Sequence, residues 1–231
     1  MNTGNIIAAS ILAVGIAVGG CFVGHGLFDF RGSARSVEVR GLAEKQVKAD
    51  IAVWTVRHGA NAPSLAEAQT QIARNSEALK KFFAANGIKE DEITIGDGSV
   101  WEDRRNDGSV FYNVERSFIV RTKDIDTVQK ANQKVYDLVS DGVVIRSATP
   151  RYSFSGLNAI KPDMIGEATK NAREAAKRFA QDSGSEVGAI LSANQGLFSI
   201  AARDGGSNED EGTFVDKTVR VVTTVNFMIK D

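Results

Sequence analysis

Few residues in this chain have the type and spacing that covalent chemistry needs. The two histidines are His25 and His58, and the single cysteine is Cys21. His25 and Cys21 lie in an apolar stretch at the amino end, which leaves His58 as the histidine of the remaining chain. Hydrolase triads set a histidine base beside a serine or cysteine nucleophile. No cysteine accompanies His58, and no G-x-S-x-G pattern is present. His58 stands at the end of an apolar run beside Gly59, where a solvent-exposed or capping role is expected. Zinc sites take several His or Cys ligands, more than the chain offers after its leader. Asp204, Glu209, Asp210 and Glu211 cluster in the glycine-rich "RDGGSNEDEG" and supply the oxygen atoms that calcium takes. Their spacing fits no EF-hand, and a solvated loop is expected, although carboxylate-only metal sites stay open. Glu102-Asp103-Arg104-Arg105 reads as a mixed-charge turn, and Trp54 and Trp101 as core or sheet-edge residues. The expectation is a protein that is not an enzyme, with no catalytic, cofactor-binding or metal-binding residues.

Composition is ordinary for a globular protein and excludes several classes. Lys plus Arg number 28 against 29 Asp plus Glu, and the net charge is −1. No basic excess and no helix-turn-helix or RNA-binding signature argues for nucleic acid. Without cysteine after the leader, the domain forms no disulfide, which fits an oxidising compartment.

Residues 6–28, "IIAASILAVGIAVGGCFVGHGLF", carry no formal charge. As a helix they rise about 34 Å, against a hydrocarbon core of about 30 Å. The expected organisation is a transmembrane anchor or signal-anchor over 1–31 and one domain over 32–231. Cleavage after Ala34 and lipidation of Cys21 are the alternatives. Two GxxxG spacings, Gly15–Gly19 and Gly20–Gly24, suit close helix approach in a membrane, although glycine is common there in any case. Arg31, Arg35 and Arg40 follow the span, and by the positive-inside rule would hold the domain in the cytoplasm.

Beyond the leader, apolar periodicity sets out the elements. Strands are expected around Val37–Val39 and Ile51–Val56, with Gly41 and the charged stretch Glu44 to Asp50 at their junction. A helix starts at Pro63, with Leu65, Ala68, Ile72, Ser76, Leu79 and Phe83 on one side, and stops at Asn86-Gly87. Ile93 to Glu102 and Val110 to Arg121 read as a hairpin turning at Asp107-Gly108. Asp124 caps a second helix with Val128, Ala131, Val135, Leu138 and Val139 inward. A strand follows from Val143 to about Phe154. A third helix, Asp163 to Asp182, sets Ile165, Ala168, Ala172, Ala175, Ala176 and Phe179 on one stripe. Val187 to Ile200 is extended, and a last strand, Thr213 to Lys230, is long enough at roughly 60 Å to need a bend or bulge. The fold class is α+β, antiparallel sheets covered by about three helices. No glycine-rich phosphate loop joins a strand to a helix.

Two stretches carry a family resemblance. "VEVRGLAEKQVKADIAVWTV" (37–56) resembles the opening of SIMPL-domain proteins at Val37, Val39, Gly41, Asp50, Ala52 and Val56. "ATKNAREAAKRFAQDSGSEVGAIL" (168–191) is similar to their late helix at Ala168, Ala172, Ala175, Ala176, Ala180, Gly184 and Gly188. Lys48-Ala49 departs from the family's proline before the acidic residue, and Asn171 stands where an aspartate is common. The resemblance implies a bacterial cell-envelope protein, commonly periplasmic, that self-assembles and has no established enzyme activity. It favours a single-pass inner-membrane protein with its domain in the periplasm, against the arginine flank. The expected partners are therefore other copies of the chain, and the membrane through residues 6–28. The alternative is a periplasmic module that binds a small ligand.

Overall fold

A computed structural model of the chain describes residues 15–17, 19–20, 35–203 and 210–230. The elements run β1 (Ser36–Lys48), β2 (Ile51–Ala62), α1 (Leu65–Ala85), β3 (Ile93–Arg104), β4 (Val110–Thr122), α2 (Ile125–Lys134), β5 (Val144–Ser153), α3 (Leu157–Asp182), β6 (Glu186–Gln195), β7 (Ser199–Ala202) and β8 (Asp216–Lys230). They divide into two compact units. The smaller holds Met1–Ala43, Ile165–Leu197 and Val221–Asp231; the larger holds Glu44–Met164 and Phe198–Arg220. The α+β class with antiparallel sheets is as expected, with three α-helices among the described residues from 35 on. The proposed span 6–28 and the boundary at residue 31 lie largely or wholly outside the described residues. Among those described, no helix is long and apolar enough to cross a membrane.

In the larger unit one antiparallel sheet has the strand order β3-β4-β2-β5. Strand alternation sends Ala52, Trp54, Val56, His58, Ala60 and Ala62 of β2 to one buried face. β4 matches them across the ladder, with Trp54 opposite Val120 and Val56 opposite Phe118. Helix α1 lies on this face through Ala68, Ile72, Ser76, Leu79 and Phe83. Its cap is Ser64, whose hydroxyl accepts from the Glu67 N–H at 3.3 Å, so Pro63 precedes the helix rather than opening it. Gly87, at φ +85°, ends it. Leu65, expected inward, is 39% exposed, because the helix begins at it and the cap holds it at the rim.

Asp124 caps α2 as expected, accepting from the Thr127 N–H at 3.0 Å. After Lys134 the helix tightens into a 3-10 turn, Val135–Val139. Three residues per turn keep Val135 and Leu138 on one buried side and rotate Val139 out to 53% exposure. The second-helix stripe is therefore one residue shorter than its α-helical period implies.

In the smaller unit α3 packs on strands β1 and β8 through small residues. Gly41 is the tightest point: a Cβ there would sit 1.8 Å from the Ala168 carbonyl oxygen. Ala168, Ala172, Ala176 and Ala180 are buried at every fourth position. That approach leaves room for methyl groups only, and Phe179, expected on the stripe, is 61% exposed. The helix also starts six residues earlier than expected, since Pro162 sits inside it rather than before it.

β1 extends through Gly41 and the charged stretch, which is strand and not junction; the link to β2 is only Ala49 and Asp50. The second sheet has the order β1-β8-β6, and β7 also pairs with β8. β8 runs unbroken with Lys217, Val219, Val221, Thr223, Val225 and Phe227 inward. The expected irregularity lies in its partner: Val187 to Ile190 on β6 faces the shorter span Ile229 to Phe227, and a second shift follows before Ser192. The extra residues bulge from the edge strand, which has an open side to bend toward.

Candidate functional site

His58 is fully buried in mid-strand, so the expected exposed or capping role is wrong. Its Nε2 lies 2.9 Å from the Ser76 hydroxyl, which donates onward to the Ile72 carbonyl at 2.8 Å. With the serine proton taken by its own helix, the histidine is the donor in the first bond. A nucleophile–base pair needs the opposite polarity, with the serine donating to the imidazole. The ring stacks on Phe118 at 5.5 Å, and Nδ1 has no hydrogen-bond partner among the described residues. Burial, aided by the Arg116 charge, pushes its pKa down to about 4. This is a neutral core histidine, joined by Asn75, whose amide donates to the Gly59 carbonyl at 3.0 Å.

Of the expected acidic loop, Asp204 and Glu209 lie outside the described residues. Asp210 accepts from the two terminal guanidinium nitrogens of Arg151, at 2.5 and 2.9 Å. The Arg151 hydrogen bonds, then the Gly212 N–H, hold its carboxyl below the usual carboxylate range. Glu211 meets Lys217: the ammonium lies 3.2 Å from its carboxylate and donates to its carbonyl at 2.6 Å. Both acids are thus committed to cations. Among the described residues no group of three or more His, Cys, Asp or Glu is placed to hold a metal ion. Lys217 itself is fully buried. Its position on the inward phase of β8, two residues before Val219, is a signal that sequence reading passed over.

In the hairpin, Arg105 covers the Phe111 ring at 3.8 Å. Trp54 is buried and packs edge-on against Phe83 at 5.7 Å, while Trp101 is 43% exposed at the sheet edge. These are the two places expected for the tryptophans. Asn171, standing where the resemblance expects an aspartate, donates to the Leu42 carbonyl at 2.8 Å. Cys21 and His25 lie outside the described residues.

Among the described residues two end strands show exposed apolar side chains. β6 is an end strand, and of its apolar residues Ile190 is 41% and Leu191 48% exposed, with Leu197 just beyond at 94%. β3 ends the other sheet, with Ile95 71% and Val100 57% exposed. An edge strand presents unpaired backbone groups, and one that also shows large apolar side chains is a pairing surface. Neither edge requires a titratable residue, which is why a search for chemistry in the sequence does not find them.

A curated relative in Oncorhynchus mykiss, "Interleukin-1 receptor-associated kinase 1-binding protein 1 homolog", is 24% identical over 202 residues, covering 86% of this chain and 81% of the relative. The family model SIMPL, "Protein of unknown function (DUF541)", matches residues 37–227. That match takes in both sheets and all three helices described above, and the chain belongs to the SIMPL family.

Proposed function

We propose that this chain is a non-enzymatic, membrane-anchored protein of the bacterial cell envelope that self-assembles through its SIMPL domain. The observation that carries the reading is the β6 edge, where Ile190 and Leu191 stand exposed on a strand without an outer neighbour among the described residues, with Leu197 exposed just beyond it. Exposed apolar residues on an open edge favour burial against another strand. The relative's name describes a protein that binds another protein, which supports action by binding. That relative comes from a fish, so the envelope location rests on the leader: 23 uncharged residues suited to a span, ahead of a domain free of cysteine. The scaffold then works at the inner membrane, with the domain in the periplasm.

Light scattering on detergent-purified full-length chain tests the assembly. One uniform multi-subunit particle is expected, and a strict monomer at micromolar concentration contradicts it. Protease protection in spheroplasts, with a tag after Asp231, tests the location. Digestion of the tagged domain while a cytoplasmic control survives is expected; protection until lysis places the domain inside and removes the envelope reading.

A further inference from the structure

Strand β3 pairs with β4 without a break over the seven residues Gly98 to Arg104. A register shift between Ile95 and Gly98 ends that run on one side, and the hairpin turn at Arg105 ends it on the other. Trp101 is its midpoint. The Arg105 N–H donates to the Ser109 carbonyl at 2.9 Å, so alternation turns the backbone groups of Ser99, Trp101 and Asp103 toward β4. Those of Gly98, Val100, Glu102 and Arg104 face outward, where β3 has no neighbour among the described residues. Every residue of the run is exposed, with Val100 at 57% and Trp101 at 43%.

An open edge of this kind accepts another strand, and the order of its residues, "GSVWEDR", fits a second copy of itself. Two copies related by a two-fold axis present the same strand to each other, here antiparallel. The register centred on Trp101 joins all four outward residues, Gly98 with Arg104 and Val100 with Glu102, in both directions. Each charged residue then meets an uncharged one. Arg104 extends over Gly98, which has no side chain to oppose it, and the Ser99 hydroxyl faces the Asp103 carboxylate. The two Trp101 residues meet at the axis as a non-hydrogen-bonded pair, with Cα atoms about 4.5 Å apart. Centring the pair on Glu102 or Asp103 instead sets like carboxylates opposite each other. Centring it on Val100 brings Arg104 against Gly96, inside the register shift.

We propose that β3 is a second self-pairing surface, on which two copies join antiparallel along Gly98–Arg104 with Trp101 on the two-fold axis. The inference rests on the reading that the chain self-assembles, and not on β6 as the surface. A two-fold contact at β6 alone stops at two chains, and a second such surface carries assembly beyond them.

The test is oxidation of full-length chain with diamide in detergent, in a Cys21→Ser background, read by non-reducing gel beside light scattering. Trp101→Cys is expected to form disulfide dimers, since the Cα separation lies within the span of a disulfide. Ser99→Cys and Asp103→Cys are each expected to form none alone, because like positions then lie roughly 14 Å apart along the strands. Co-expressed, the two form a disulfide-linked heterodimer. Val100→Pro removes an outward N–H and spares the ladder with β4, so the particle is expected to lose mass. Dimers from Ser99→Cys alone at the yield of the mixture, an unchanged mass in Val100→Pro, or no dimers from Trp101→Cys in a particle of several chains would each overturn the pairing while self-assembly stands. A monomeric Cys21→Ser chain would overturn both.

Discussion

The two units solve the same problem, laying a helix on a sheet, with opposite side chains. In the larger unit the helix stands off the strands and aromatic rings fill the gap: Phe83 meets Trp54 at 5.7 Å and Phe118 at 5.9 Å. In the smaller unit the helix touches the strand backbone, and Gly41 with a line of alanines permits the approach. One interface is stabilised by the apolar area of large groups. The other depends on the absence of groups. Sensitivity to substitution therefore runs in opposite directions: losing volume damages the first, and gaining volume damages the second.

The largest effect is expected at Gly41. Gly41→Val places a Cβ 1.8 Å from a backbone oxygen that cannot move without its helix. Loss of cooperative unfolding by near-ultraviolet circular dichroism is expected, and a melting temperature near wild type would sink the close-packing argument. Phe83→Ala, a volume loss in the other unit, should cost about 3–5 kcal/mol in urea denaturation. The converse swap sharpens the contrast, since Ala172→Gly removes only a methyl group and should cost about 1 kcal/mol, mostly from helix propensity.

Acid comes next. His58 is held neutral in the fold, with its pKa lowered from 6.5 to about 4. Above pH 6.5 neither folded nor unfolded chain protonates it, and its full contribution is present. Between pH 6.5 and about 4 the unfolded chain binds a proton that the folded chain refuses, so stability falls as pH falls, by roughly 3 kcal/mol in total. Below about pH 4 both states carry the proton and the slope from this group ends. His58→Phe keeps a stacking ring and should flatten the profile across that window; an unchanged profile would assign the acid sensitivity elsewhere. The smallest effect is at Val139, where Val139→Thr at an exposed position should shift stability by less than about 0.5 kcal/mol.

Local chemistry made much of the fold legible. Asp124, Asn86-Gly87 and Asp107-Gly108 act through side chains and φ angles that no distant residue overrides, and each marks a real boundary. The start of α3 was less legible: proline argues against a helix interior, yet Pro162 lies inside a helix that begins at Leu157, before the expected Asp163. The charged run Glu44 to Lys48 looked like a link because its side chains do not alternate in polarity; as a continuation of β1 it leaves Glu44, Lys45, Gln46 and Lys48 exposed, and hydrogen bonding rather than burial extends the strand. His58 is expected at the surface and Lys217 is passed over where residue type outweighs phase. His58 keeps step with Trp54 and Val56, and Lys217 with Val219 and Val221, and in a strand step alone decides the side. The open edges were illegible for another reason. Which strand ends a sheet is a property of topology, and no residue in β6 announces it.

The most direct test of assembly through that edge is short-spacer bismaleimide cross-linking of Leu191→Cys in a Cys21→Ser background, with Val139→Cys as the control. Both positions are about half exposed, Leu191 at 48% and Val139 at 53%. Efficient covalent dimers from Leu191→Cys, and none from Val139→Cys at the same protein concentration, are expected. Equal yields from the two positions, or none from Leu191→Cys in a particle that light scattering shows to be multi-subunit, would place the assembly surface elsewhere.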